Sequence, residues 1–184
     1  MANLTQKALI QEFEAMLTEM PFAKITVSAL IGRCGVSSNT FYYHFHDIYD
    51  LLDAWLDMKR HAFLQTCDPR ESWDVHLKAF FHSLKTHRRP MQHLFESISR
   101  ERLERYVFET SKPWFHHYIH TAYADTEVDE DTLTGLADCC CYAFFGLMLE
   151  FLWSNMRLDA DAAVDRLRLI FDAGFAPLHP PHKN

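Results

Sequence analysis

The chain has 184 residues, 48% of them apolar and 14% aromatic, which excludes a disordered protein and provides for one substantial core or two small ones. Its formal net charge of −7 argues against a protein that coats nucleic acid or anionic lipid through bulk charge. The first fifty residues carry three basic and five acidic side chains, a balance of −2, so any DNA binding there depends on local placement.

The cysteines and the apolar runs indicate where the protein works. Five cysteines, three of them adjacent at 139–141, do not form a disulfide framework and fit a reducing compartment. The N-terminus lacks the basic start and long apolar run of a signal peptide. The longest uncharged run, residues 139–149, is shorter than the roughly 20 residues of a membrane span. We predict a cytoplasmic protein without a membrane partner.

The spacing of apolar residues predicts a helix over residues 4–20, which ends before Pro21 because proline disfavours helix at the preceding residue. Thr26 can cap a second helix. That helix ends near Gly35, a residue that can adopt the left-handed conformation of a turn.

Ser37 can cap a third helix over residues 38–45, and Asp47 a fourth that runs to about residue 64. Phe41 and Phe45 are one turn apart and share the inward face of the third helix. The residues left pointing outward are Tyr42, Tyr43 and His44.

The remainder of the chain is also predicted to be helical, with a break at Pro90, a bend at Pro113 and an acidic loop over residues 124–131. No stretch alternates polar and apolar residues as a β-hairpin does. We therefore predict an all-α protein, with further helices at about 70–87, 90–98, 100–123, 132–156 and 160–175.

Two short helices joined at Gly35 have the layout of a helix-turn-helix, whose second helix enters the DNA major groove by its N-terminal end. Ser38, Asn39 and Thr40 can reach base edges or phosphates there. The tyrosine and histidine side chains one turn later can donate hydrogen bonds to phosphates. Without further signals, that aromatic stripe could equally be a half-exposed helix surface.

The run "ITVSALIGRCGVSSNTFYYHFHDIYDLL", residues 25–52, resembles the DNA-binding domain of the tetracycline-repressor family of transcriptional regulators. The resemblance covers about the first sixty residues. Its matching features are Ile25 with Thr26, Ala29, the Gly-Val-Ser turn at 35–37, and "TFYYHF" at 40–45.

The resemblance implies a DNA-binding domain over residues 1–47 and an all-helical domain over 48–184 that binds a small ligand and pairs with a second copy. His46 stands where this family commonly has a lysine that contacts phosphate, which predicts weaker DNA binding at neutral pH. The predicted DNA contacts are Thr26, Ser37, Ser38, Asn39, Thr40, Tyr42, Tyr43, His44 and His46.

Apolar residues of the second predicted domain are candidates for a ligand pocket, although periodicity does not separate a pocket from a core. The candidates are Phe63, Trp73, Phe80, Phe81, Leu84, Phe95, Phe108 and Tyr118.

The predicted helix at 132–156 is apolar on nearly all sides, so it needs burial on more than one face. We predict that it forms a four-helix dimer interface with the last helix and the same pair of a second copy; a central helix in a monomer is the alternative. The predicted interface residues are Leu136, Cys140, Ala143, Gly146, Leu147, Leu167, Ile170 and Phe171.

No metal, cofactor or catalytic site is predicted. Adjacent cysteines point about 100° apart around a helix, so the three at 139–141 do not share a metal from one face. His116 and His120 are one turn apart, but two ligands do not make a site. The sequence is interpreted as a homodimeric regulator, a repressor of a palindromic double-stranded operator that a small ligand releases. The alternative is an interaction module or coactivator of the same fold with weakened DNA binding.

Overall fold

The computed structural model describes residues 2–68, 70–124 and 126–174, and these residues contain helices but no strand. The predicted all-α fold is confirmed. The nine α-helices of the described residues are α1 (Ala2–Glu19), α2 (Val27–Cys34), α3 (Ser38–His44), α4 (Ile48–Leu64), α5 (Trp73–Thr86), α6 (Arg88–Phe95), α7 (Arg100–Ala122), α8 (Glu130–Trp153) and α9 (Ala160–Gly174).

The chain forms two compact units, Met1–Ile98 and Ser99–Asn184. The core of the first unit is built around Phe13, Phe41 and Trp55, which are fully buried. Burial of such a side chain contributes about 1.5–3 kcal/mol. These three residues come from α1, α3 and α4, so the core ties the short helix α3 to its longer neighbours.

Side chains cap three helices of the first unit as predicted. The hydroxyl of Thr26 accepts the N–H of Ala29 at the start of α2, at 3.2 Å. The carboxylate of Asp47 accepts the N–H groups of Tyr49 and Asp50 at 2.7 and 2.9 Å. Each cap satisfies backbone donors that a helix leaves unpaired at its N-terminus.

Ion pairs on the surface of the first unit engage Arg33 and Lys59. Arg33 on α2 donates to Glu12 at 2.5 Å and to both oxygens of Glu19 at 2.6 and 2.9 Å, which fixes α2 on α1. The hydrogen bond from Arg33 holds the pKa of Glu19 below its usual value. Lys59 on α4 pairs with Glu14 at 2.5 Å.

Helix α6 packs against α1 and begins two residues before its predicted start at residue 90. Pro90 lies in its first turn, where a missing N–H costs no intrahelical hydrogen bond. Pro90, Met91 and Leu94 are buried, and Nδ1 of His93 lies 2.7 Å from the carbonyl oxygen of Leu17 on α1.

In the second unit α7 packs along α8, and the end of α8 differs from the prediction. The helix stops at Trp153 because Asn155 and Met156 have φ angles of 55° and 59°, which are left-handed and end a helix. One core cluster of this unit consists of Ile119, Tyr123, Leu133, Leu136 and Ala137.

A polar cluster also joins α7 to α8. Lys112 lies 2.9 Å and His116 2.8 Å from one carboxylate oxygen of Asp138. The hydrogen bond from His116 and then that from Lys112 hold the pKa of Asp138 below its usual value.

By length and composition alone, α8 could cross a membrane, with a mean hydropathy of 1.5. The uncharged run considered in the sequence is shorter because Asp138 and Glu150 interrupt the helix. Core helices of soluble proteins have the same length and composition, so this property alone does not identify a membrane span.

Candidate nucleic-acid interface

A three-residue turn connects α2 to α3. Gly35 has a φ angle of 65°, which a side chain would strain, and its N–H bonds to the carbonyl of Ile31. The N–H of Val36 bonds to the same carbonyl at 3.1 Å. The two helices therefore leave the turn in fixed directions and form a helix-turn-helix.

The two faces of α3 have opposite chemistry. Phe41 and Phe45 are buried, with ring centroids 5.8 Å apart. On the other side Tyr42 and Tyr43 are 59% and 77% exposed, as predicted, and His44 is half-buried. The buried rings hold the helix while the phenol groups face outward.

The polar residues around the turn fall into two groups. Ser37 accepts the N–H of Thr40 at 3.1 Å, and the two hydroxyls lie 2.9 Å apart, so these side chains already form the cap of α3. Thr26 likewise caps α2. Ser38 and Asn39 take no part in these caps and are exposed on the first turn of α3.

His46 lies between α3 and α4 with 98% of its side chain exposed. The carboxylate of Asp50 accepts the backbone N–H of His46 at 2.9 Å and lies 3.2 Å from its Nδ1. The first of these hydrogen bonds is the main reason that the pKa of Asp50 is lowered. An ionised carboxylate therefore stands beside the side chain that is predicted to contact phosphate.

Few cations near the motif remain for phosphate. Arg33 is occupied by two carboxylates, whereas Lys24 is exposed at the end of the 3₁₀ turn Phe22–Lys24 that joins α1 to α2. Lys24 stands two residues before the cap of α2. It is not among the predicted contacts; a basic residue just before a helix cap is the signal that could have indicated it.

A helix-turn-helix whose second helix presents exposed hydroxyl, amide and phenol groups is typical of the class of DNA-binding proteins that place this helix in the major groove. Residues 9–55 match the family described as "Bacterial regulatory proteins, tetR family", and residues 71–173 match "Transcriptional regulator C-terminal region". The chain belongs to the tetR family of transcriptional regulators, and the resemblance found in the sequence is confirmed.

A solved structure named "Dihydroxyacetone kinase operon activator DhaS" has a similar fold, with a TM-score of 0.66 and 14% sequence identity. The match covers 96% of this chain and 98% of that chain. At this identity the likeness concerns the fold alone. Among curated proteins, none matches the sequence.

The predicted pocket residues lie in both units. Phe63, Phe80 and Phe81 form an aromatic row in the first unit, with successive ring centroids 5.5 Å apart, and Phe81 is fully buried. Trp73, Leu84 and Phe95 are half-buried in the same unit. Phe108 and Tyr118 are half-buried in the second unit.

The predicted interface residues differ in exposure. Leu136 and Leu147 are buried within their own chain, and Cys140 and Phe171 pack against the core cluster of the second unit. Ala143 and Leu167 are half-buried, and Gly146 and Ile170 are exposed.

The side chains weighed as metal ligands have other neighbours. The rings of His116 and His120 stack at 6.1 Å, and Nδ1 of His120 lies 3.5 Å from Glu130. Among the described residues no group of three or more histidine, cysteine or acidic residues is arranged to hold a metal ion. Burial raises the pKa of the Cys140 thiol to about 12, so this thiol is not reactive at neutral pH.

Proposed function

We propose that the protein is a homodimer that binds a palindromic operator and represses transcription until a small ligand releases it. The observation that carries this proposal is the exposed face of α3, where Ser38 and Asn39 precede Tyr42 and Tyr43. Ser38 and Asn39 contact base edges, and the tyrosine hydroxyls donate to phosphates. The protein is a cytoplasmic regulator rather than an enzyme, and it uses no cofactor.

Dimerisation is supported by an exposed line along α8 and by two exposed apolar residues of α9. The exposed residues of α8 recur every three or four positions and include Gly146 and, 73% exposed, Trp153. A Cβ added to Gly146 meets no atom within 4 Å, so a partner helix has room to approach closely. Leu169 and Ile170 are exposed on α9. The α8 and α9 helices of two copies form a four-helix interface there.

Repression and release follow from a coupling between two sites. The ligand binds within residues 48–184 and favours a state in which the two helix-turn-helix motifs no longer match major grooves about 34–36 Å apart. Operator and ligand then weaken each other's binding reciprocally. Phe63 and Phe80, the half-buried members of the aromatic row, are the part of the predicted pocket that the ligand contacts.

Duplex selection tests the DNA-binding part of the proposal. Wild-type protein selects duplexes from a random-sequence library, and the enriched sequence is expected to be an inverted repeat whose half-sites are one helical turn apart. Nuclease protection of the same repeat beside the gene identifies the operator. A library that shows no enrichment at low salt contradicts the proposal.

Competition tests the ligand-binding part. Compounds that raise the thermal midpoint of the free protein are added to the complex with the selected duplex. A ligand of the repressor raises the midpoint and dissociates the duplex, whereas a compound that strengthens the complex indicates an activator or corepressor.

A second candidate is an interaction module or coactivator with weak DNA binding. Two features favour it. Arg33 is paired with Glu12 and Glu19, and His46 stands where the family commonly has a lysine, so both features reduce the positive charge that the helix-turn-helix offers to DNA. The structurally similar protein is itself named an operon activator. Failure of the wild type to bind any duplex at pH 6 and low salt favours this candidate over the repressor.

A further inference from the structure

Pro21 deprives α1 of one hydrogen-bond donor. In an α-helix the carbonyl of each residue accepts the N–H of the residue four positions later. The carbonyl of Leu17 would therefore bond to residue 21, but proline has no N–H. Leu17 is fully buried, so its carbonyl cannot turn to water and needs another donor.

The replacement donor comes from α6. Nδ1 of His93 lies 2.7 Å from the carbonyl oxygen of Leu17, in a partly buried contact that joins residues 76 positions apart. Because a carbonyl only accepts hydrogen bonds, Nδ1 carries the hydrogen. The neighbouring residues Met91 and Leu94 are buried where α6 packs on α1, but apolar contact has no preferred direction. The hydrogen bond is directional, so it sets the position of α6 along α1.

We propose that His93 is a positioning residue that fastens the helix-turn-helix to α6 by supplying the N–H that Pro21 removes from α1. Helix α1 in turn holds α2 through the ion pairs of Arg33 with Glu12 and Glu19. The inference rests on the proposed function, since a fixed position of the helix-turn-helix matters most when the two motifs of a dimer bind two half-sites at once.

Two substitutions of His93 separate the donor from the bulk of the ring. The amide nitrogen of asparagine occupies about the position of Nδ1, whereas that of glutamine extends to about the position of Nε2. His93→Asn therefore keeps a donor for the carbonyl of Leu17, and His93→Gln misplaces it. His87→Gln is the matched control, because Nδ1 of His87 contacts the carbonyl of Ser83, only four residues earlier, at 3.0 Å.

The experiment measures dissociation constants for a duplex selected by the wild type and for a random duplex of equal length. His93→Gln should weaken binding to the selected duplex by about tenfold, the range expected for a buried acceptor that loses its donor. Binding to the random duplex should change by less than about twofold, because it depends on phosphate contacts. His93→Asn and His87→Gln should bind both duplexes like the wild type. Nitrogen-15 spectra of the free wild type should show the hydrogen of His93 on Nδ1.

Three results overturn the inference alone: a hydrogen on Nε2 with Nδ1 unprotonated, equal losses for His93→Asn and His93→Gln, or a lower thermal midpoint for His93→Gln with unchanged binding to both duplexes. A wild type that enriches no duplex overturns the proposed function, and with it the inference.

Discussion

The two exposed surfaces that carry the proposed function differ in chemistry. The outer face of α3 presents hydroxyl, amide and phenol groups. The exposed line of α8 instead includes Gly146 and the large apolar side chain of Trp153, and α9 exposes Leu169 and Ile170. Groups that donate hydrogen bonds suit phosphates and base edges. Large exposed apolar side chains that lie together mark a surface where another protein binds. We therefore propose DNA as the partner of the first surface and a second copy of the chain as the partner of the other.

The largest effect is expected from a substitution that disrupts the proposed dimer interface on α8 and leaves the outer face of α3 unchanged. Gly146→Arg places a charged side chain into open space on α8, so the subunit keeps its fold while the partner is excluded. We expect monomers in sedimentation and a loss of operator affinity of about 100-fold or more, because linking two binding modules raises avidity by that order.

Gly146→Ala is the control, since a methyl group preserves the helix and most of the close approach. It should remain dimeric and bind the operator. A Gly146→Arg protein that sediments as a dimer contradicts the proposed interface.

The helix ends that depend on adjacent residues were predictable from the sequence. Thr26, Gly35 and Asp47 act on the few residues beside them, so the ends of α2 and the start of α4 follow from local sequence. The end of α8 depends on the left-handed residues Asn155 and Met156, which no glycine or proline announces.

Contacts between residues that are far apart in the sequence could not be predicted from it. Leu136 and Leu147 belong to a helix that is apolar all round, and only the neighbouring helices determine that both are buried within the chain. Arg33 pairs with carboxylates that lie 14 and 21 residues earlier in the chain. Only the structure therefore shows that this cation is engaged within the protein rather than available to DNA.

The next prediction separates two roles on the first surface. Asn39→Ala should weaken binding to the selected duplex by about 1–3 kcal/mol, the value of a bidentate base contact, and should affect random DNA less. Tyr42→Phe removes a donor to phosphate and should weaken binding to both duplexes alike. Titrations of both duplexes with both variants provide the measurement. Equal losses for Asn39→Ala on the two duplexes would assign Asn39 to the DNA backbone instead.

A smaller effect concerns the stability of the second unit. Hydrogen bonds from His116 and Lys112 hold the pKa of Asp138 below its usual value of 3.8, so the folded state favours the ionised form. Its stabilisation is complete above the unfolded pKa and is lost as the pH falls through the lower, folded pKa. Asp138→Asn should therefore lower the thermal midpoint at pH 6 by a few degrees, and the difference from wild type should shrink towards pH 3.

Glu109→Gln is the control for Asp138→Asn, because it removes one carboxylate from an exposed position of α7, away from the proposed dimer interface. A gap between Asp138→Asn and wild type that stays constant from pH 6 to pH 3 would show that the carboxylate of Asp138 does not stabilise α7 on α8 in its ionised form.

The smallest expected effect concerns the charge at position 46. Histidine is the side chain whose charge ordinarily changes between pH 5 and 8, whereas lysine is charged throughout that range. His46 is almost fully exposed, and the ionised carboxylate of Asp50 competes with a DNA phosphate for its ring. Wild-type affinity for DNA should therefore rise only modestly from pH 8 to pH 6. His46→Lys should bind about two- to threefold more tightly than wild type at pH 8, the range of a single exposed ion pair, and with a flatter pH profile.

His61→Lys provides the matched control for His46→Lys. It adds the same charge to α4 about 20 Å further along the helix, because each residue adds 1.5 Å. If the gain came from net charge alone, both variants would bind more tightly by the same factor and show parallel pH profiles. If the gain comes from a phosphate beside position 46, only His46→Lys flattens the profile, and its binding depends more steeply on salt at pH 8, because each neutralised phosphate releases roughly 0.9 of a counterion. Parallel profiles for wild type and His46→Lys would remove His46 from the DNA contacts and leave the neutral donors of α3, with Lys24, to bind the phosphates.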